Sequence, residues 1–171
     1  MKVFFGSAIQ GASDRGMRAA VNTEILNTIK ACGHTALAEH TTGQNKEEVS
    51  RLLEEAIGPL PPPGIHRTRY VCHKMLGLVE LRDLGAAIFE VSVPSTGTGI
   101  EIDRALLRPR VGLSTVPILF LYEEEYWSSG LSSMVKGLPF ERMPGVELVE
   151  YAKGAPLKPI VQSFLADAEG K

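Results

Sequence analysis

Cysteine is scarce. Cys32 and Cys72 stand alone in 171 residues, too few for a disulfide framework and without a metal-type spacing. They read as reduced structural thiols of a cytosolic protein. A surplus of positive charge is also missing. The 18 lysines and arginines against 20 aspartates and glutamates leave a formal net charge of −2. That balance argues against a nucleic-acid polymer or a membrane surface as partner. A small phosphorylated ligand needs only local positive potential, so it survives the exclusion. No apolar run approaches the length of a membrane span, and the chain opens directly on a strand-like Lys2-Val3-Phe4-Phe5 with no signal-peptide pattern. The expectation is a cytoplasmic protein. No cluster of His, Cys and Asp has ligand spacing, so neither a metal nor a cofactor is expected.

What is present is the balance of a globular domain, 44% hydrophobic and 22% charged, in a length that suits one core. Val3 to Phe5 reads as a buried strand, followed by a loop rich in Gly and Ser, GSAIQGASD, that ends at Asp14. Ala19, Val21, Ile25, Leu26 and Ile29 recur at helical spacing over Arg15 to Cys32, and Gly33 is a natural stop. Thr35 to Ala38 is a weak strand, and Asn45 to Ile57 is helical in propensity. The run GPLPPPG at 58–64 excludes helix and inner strand, because proline removes donors and fixes φ. Residues 40–68 thus read as an insertion over one face of a single domain, a candidate lid. Beyond it come a helix over Arg69 to Arg82, a strand over Ala86 to Val91, a loop at 92–99 and a helix from Ile100 to Arg108. A strongly apolar strand follows at Val116 to Tyr122, then a short helix at Leu131 to Lys136. A last strand and helix cover Val146 to Tyr151 and Pro159 to Ala168. Strands alternating with helices predict a doubly wound, Rossmann-like or flavodoxin-like parallel sheet of five strands, flanked by helices. Ligands of such folds sit at the carboxyl ends of the strands, where both Gly-rich loops should meet.

The chemistry is concentrated in Glu90-Val91-Ser92-Val93-Pro94-Ser95-Thr96-Gly97-Thr98-Gly99-Ile100-Glu101. A strand ends, glycines let the backbone turn and bare its amides, and a helix starts with Glu101 in its first turn. There the helix dipole favours the ionised carboxylate. A carboxylate so placed can attack an anomeric carbon or stabilise the positive charge that develops on it. The amides and the Ser95 hydroxyl can hold a phosphate. Position alone is equally compatible with a carboxylate that satisfies a helix start.

This segment, with GSAIQG at 6–11 and LSSMVKG at 131–137, resembles the nucleoside 2-deoxyribosyltransferase superfamily. Within it the chain is most similar to the 2'-deoxynucleoside 5'-phosphate N-hydrolases and the related nucleotide N-glycosidases of antibiotic pathways. The resemblance runs through most of the chain but not through 40–68. It implies that Glu101 is the catalytic glutamate and that Ser95, with Gly97 and Gly99 beside it, binds a 5'-phosphate. It also implies that Gly6, Ser7 and Gly11 cradle sugar and phosphate. Ser132 would reach the phosphate from a neighbouring subunit and Met134 would line the base pocket, so the implied assembly is a homodimer with shared sites. Two positions depart from the family. Val3 stands where a tyrosine is common, and Gly77 where an aspartate handles the base. His73, a helical turn before Gly77, is the candidate to take over proton transfer.

The implied reaction is hydrolysis of a (deoxy)nucleoside 5'-monophosphate to free base and sugar phosphate. A deoxyribosyltransferase and a non-catalytic nucleotide sensor stay open beside it. Among the remaining charges, Arg104 reads as an ion-pair partner, with Glu90 as one candidate. Lys136, Arg67 and Arg69 are candidates to meet a phosphate, and Tyr126 and Trp127 to pack at an interface.

Overall fold

The strands β1 (Lys2–Ser7), β2 (Thr35–Leu37), β3 (Leu84–Glu90), β4 (Ile118–Glu123) and β5 (Val146–Tyr151) form one sheet in the order β2-β1-β3-β4-β5. Every pairing is parallel. This is a doubly wound α/β architecture, the class the alternating elements predict. The computed structural model describes residues 1–8 and 15–170.

Helices α1 (Arg15–Ala31) and α6 (Lys158–Glu169) cover one face of the sheet. There Ile25, Leu26 and Ile29 of α1 and Val161, Phe164 and Leu165 of α6 pack on Val3, Phe5, Ile88, Leu119 and Leu121. Helices α2 (Lys46–Ile57), α3 (Ile65–Val79) and α4 (Thr96–Leu106) cover the other, burying Leu53, Met75 and Ile102 against Phe4, Phe89 and Phe120. Alternate strand residues serve the two faces, so the inner strands are apolar throughout. A short helix, α5 (Ser133–Lys136), precedes β5.

The structure moves two expected boundaries. Helix α3 begins at Ile65, directly after Gly64 (φ 139°), so the expected insertion ends inside a helix rather than in a loop. Helix α4 begins at Thr96, not Ile100, because the Ser95 side chain accepts from the Thr98 amide and caps it. Gly97 and Gly99 therefore lie within the helix, and Glu101 lies in its second turn. Arg104 pairs with Glu80 at 3.2 Å, not with Glu90. Tyr122 packs on Trp127, with ring centroids 5.3 Å apart, and Lys136 sits over the same indole. No helix among the described residues is long and apolar enough to cross a membrane.

Candidate active site

At the carboxyl ends of β1 and β3 the chain leaves a cavity of about 520 Å³, a volume that suits a nucleotide-sized ligand. Its floor is the end of β1, Phe5, Gly6 and Ser7. One wall is the start of α4, from Ser95 and Gly97 to Glu101. The opposite wall is the segment read as an insertion, with Val49 and Leu53 of α2, and α3 from Arg67 to Leu76.

Glu101 is the site's carboxylate. Among the described residues it is the only Asp or Glu in the lining. Gly6 makes room for it: a Cβ there would lie 3.1 Å from Glu101 Oε2 and 2.7 Å from the Phe89 ring. No hydrogen bond or ion pair of Glu101 exists among the described residues, and burial alone pushes its carboxyl up to about 7. The expectation of a firmly ionised Glu101 is thereby corrected. The dipole's help fades beyond the first turn, and Glu101 is past it, while desolvation penalises the charge with nothing nearby to offset it.

Around the carboxylate lie polar groups with free capacity. The Ser7 side chain is buried, and its Oγ has no partner among the described residues. Ser95 Oγ accepts from the Thr98 amide at 3.4 Å, a weak cap that leaves the hydroxyl proton available. The first-turn amides of α4 point out of the helix start, a geometry that favours anions.

Sequence reasoning missed His40. It follows Ala38, the one non-glycine with positive φ (67°) among the described residues, in a 3-10 turn over Glu39–Thr42. That left-handed turn, costly for alanine, delivers the imidazole into the cavity lining. His40 is 8% exposed, its Nδ1 has no partner among the described residues, and burial pushes it down to about 4. It is therefore neutral at physiological pH. No spacing rule marks it, because a lone His in a polar stretch carries no periodicity.

The structure brings Gly6, Ser7, Ser95, Gly97 and Glu101 to one cavity. Gly99, Ser132 and Met134 line a second crevice of about 510 Å³ across α4, which shares Ser95 and Thr98 with the first. Ser132 caps α5 by accepting from the Met134 amide at 3.2 Å, and Met134 is 83% exposed. His73 is exposed on α3 and does not line the cavity, whereas its neighbour Cys72 does. Gly11 lies outside the described residues.

On the opposite face of the sheet sits a second polar cluster. Arg18 of α1 bonds Glu90 at 3.3 Å and forms a close ion pair with Glu123. Tyr151 donates to Glu90 Oε1 at 3.0 Å, and the Ser92 hydroxyl donates to the same oxygen. Ser92 Oγ in turn accepts from the Glu123 amide at 2.8 Å. Burial pushes Glu90 up, while Ser92, Arg18 and Tyr151 pull it down. The cluster ties the ends of β3, β4 and β5 to α1 directly below residues 92–99.

A parallel sheet of this order, with a carboxylate and helix-start amides facing one crevice at its carboxyl edge, defines a doubly wound α/β protein with a crevice where such folds bind their ligands. No family model matches the chain. A protein of Methanosarcina mazei named "Putative 2'-deoxynucleoside 5'-phosphate N-hydrolase 1" is 32% identical over 162 residues, covering 93% of this chain and 83% of the relative. A protein of the same name from Methanosarcina barkeri is 30% identical over 167 residues, covering 96% and 84%. The chain belongs to the 2'-deoxynucleoside 5'-phosphate N-hydrolase family.

Proposed function

We propose that the protein hydrolyses the N-glycosidic bond of a nucleoside 5'-monophosphate. The observation that carries this reading is the Glu101 carboxylate, unpaired and held beside Gly6 in a cavity whose rim offers amides and hydroxyls to a phosphate. The names of the two relatives describe the same reaction class.

In this mechanism the phosphate sits at the start of α4, on the first-turn amides and the Ser7 and Ser95 hydroxyls. The sugar lies over Gly6, and the base enters the space between α2 and α3. Glu101 Oε2 closes on C1' as the C1'–N bond breaks, and the bond's electron pair stays with the base. Water then displaces the carboxylate from C1', giving the sugar 5-phosphate, and its spare proton ends on the base. His73 has no part in this scheme because it lies outside the cavity. His40 replaces it as the imidazole that meets the base.

Ser132 and Met134 line the second crevice, so they serve a phosphate at Glu101 from a second copy of the chain. The exposure of Met134 (83%) and Ile100 (48%), each lining one of the two crevices beside α4, supports a partner that covers this side.

The test is chromatographic. The protein is incubated with ribo- and deoxyribonucleoside 5'-monophosphates and with the matching nucleosides, beside Glu101→Ala. The expected outcome is base release from monophosphates, absent in the variant. Full release by Glu101→Ala would sink the mechanism. Base exchange on adding a second free base, without free sugar phosphate, would make the protein a transferase.

A further inference from the structure

The wall opposite Glu101 is chemically one-sided. Val49, Leu53, Val71, Met75 and Leu76 make it an apolar slot for a flat ring. Arg67, at the slot's upper end, is the only Lys or Arg among the described lining residues. Its Nε donates to the Pro61 carbonyl at 2.5 Å, which anchors the guanidinium to the proline-rich turn. The terminal amino groups of Arg67 make no hydrogen bond or ion pair among the described residues, so they are free to donate into the cavity. A guanidinium only donates. No second carboxylate in the described lining can accept from an exocyclic amine, since Glu101 is committed to C1'.

We infer that Arg67 selects the base, and that the substrate class is nucleotides of oxo bases, 6-oxopurines and 2,4-dioxopyrimidines, whose ring oxygens accept from its guanidinium. The inference rests on the hydrolase reading of the same site. The chemistry of departure points the same way. When C1'–N breaks, the electron pair stays on the ring nitrogen, and some group must take up that charge. His40 is neutral near pH 7, because burial holds it at about 4. Besides Glu101, which is committed to C1', no other His, Asp or Glu is among the described lining residues. The base therefore leaves as an anion. An oxo base spreads that charge onto its oxygens, where a fixed cation meets it. At the exchanged ring position an amino base lacks the acceptor and places N–H groups against the guanidinium's N–H groups.

Matched pairs that differ at one ring substituent test this. Deoxyinosine against deoxyadenosine 5'-monophosphate, and deoxyuridine against deoxycytidine 5'-monophosphate, change oxo for amino. Base release is measured for wild type, Arg67→Gln and Arg67→Lys. Binding of the same pairs is measured by calorimetry on Glu101→Gln, with and without Arg67→Gln. The oxo member should be favoured about tenfold or more in each pair, as for hydrogen bonds to a charged donor. Arg67→Gln should erase the preference by slowing the oxo member, and Arg67→Lys should restore part of it. Preference for the amino member would overturn the inference. So would an equal loss on both members in Arg67→Gln, which makes Arg67 a phosphate ligand. Should no base be released from any nucleotide, the hydrolase reading fails, and the binding arm still decides the role of Arg67. An oxo preference that is lost in Arg67→Gln sustains it, and equal binding refutes it.

Discussion

Glu90 and Glu101 are two glutamates at the same edge of one sheet, on opposite faces, and their surroundings could hardly differ more. Glu90 is fully buried, and one of its oxygens collects Arg18, Tyr151 and both donors of Ser92. Glu101 is half-buried with no partner among the described residues, and desolvation alone moves it to about 7. A buried charge that is paired and bonded is part of the architecture. A buried charge left unpaired beside an open cavity is held ready for something that is not the protein. The contrast matters more than either carboxylate alone, because burial by itself does not distinguish structure from chemistry.

If that division holds, the two sites respond to substitution in opposite currencies. Glu101→Gln removes the proposed nucleophile while keeping shape, so base release should fall by at least about 10³-fold with folding intact. Circular dichroism beside the release assay checks both halves. A loss of folding instead would place Glu101 with Glu90. Next in size is Arg18→Met. It strips the only cation among the described residues that contacts Glu90 and Glu123 in the buried cluster, and leaves two carboxylates without it. Breaking such a pair costs about 3–5 kcal/mol, a fall in Tm on the order of 10 °C for a chain of this length. Base release per folded molecule should change far less. Thermal unfolding followed by a release assay at low temperature separates the two effects.

The sequence made the core strands legible and hid the partners. Runs such as Phe4-Phe5 and Ile118-Leu119-Phe120-Leu121 announce strands buried on both faces, and the alternation with helices announces a parallel sheet. The candidate active-site loop was legible through its glycines and the spacing to Glu101. The start of α4 was not, because Thr96, Gly97, Thr98 and Gly99 all weigh against a helix, and the packing of Ile102 and Ala105 on the sheet, with the Ser95 cap, offsets them. Arg18 and Glu90 are far apart in the chain, and only the packing of α1 on the sheet reveals that they meet. Arg108 is a similar case. It is fully buried and donates to the Ser114, Val79 and Leu81 carbonyls, a clamp on the end of α3 that no local pattern signals. His40 escaped for the converse reason. Its place in the cavity depends on a left-handed Ala38, a conformation that sequence gives no cause to expect.

The titration of Glu101 sharpens the comparison through stability. Its carboxyl in the folded protein binds a proton more tightly than in the unfolded chain, about 7 against 4.5. Below pH 4.5 both states are protonated and the group costs nothing. As pH rises toward 7 the unfolded chain releases its proton first, so stability falls, and above 7 the loss is complete. Glutamine never ionises. Glu101→Gln should therefore be more stable than wild type at pH 8, by on the order of 2 kcal/mol or about 5 °C in Tm. The gain should vanish at pH 4. Thermal melts at the two pH values check it. No pH-dependent gain would mean that Glu101 has a partner when folded.

The smallest effect concerns rate. Attack at C1' requires the ionised carboxylate, and kcat/KM reports ionisation in the free enzyme. With Glu101 held at about 7, kcat/KM should climb through that region and level off above it. Below it each pH unit should cost about tenfold, the ordinary titration slope for one group. His40 is the other group in the described lining whose ordinary pKa falls near this range, and burial removes it to about 4. A single ascending limb centred near 7 in the wild type, distinct from the substrate phosphate's own second ionisation at about 6, therefore belongs to Glu101. A limb centred near 4 would mean that a cation supplied by a second copy pairs with the carboxylate in the free enzyme. Glu101 would then be paired as Glu90 is, and the line drawn between the two faces of the sheet would have to be redrawn.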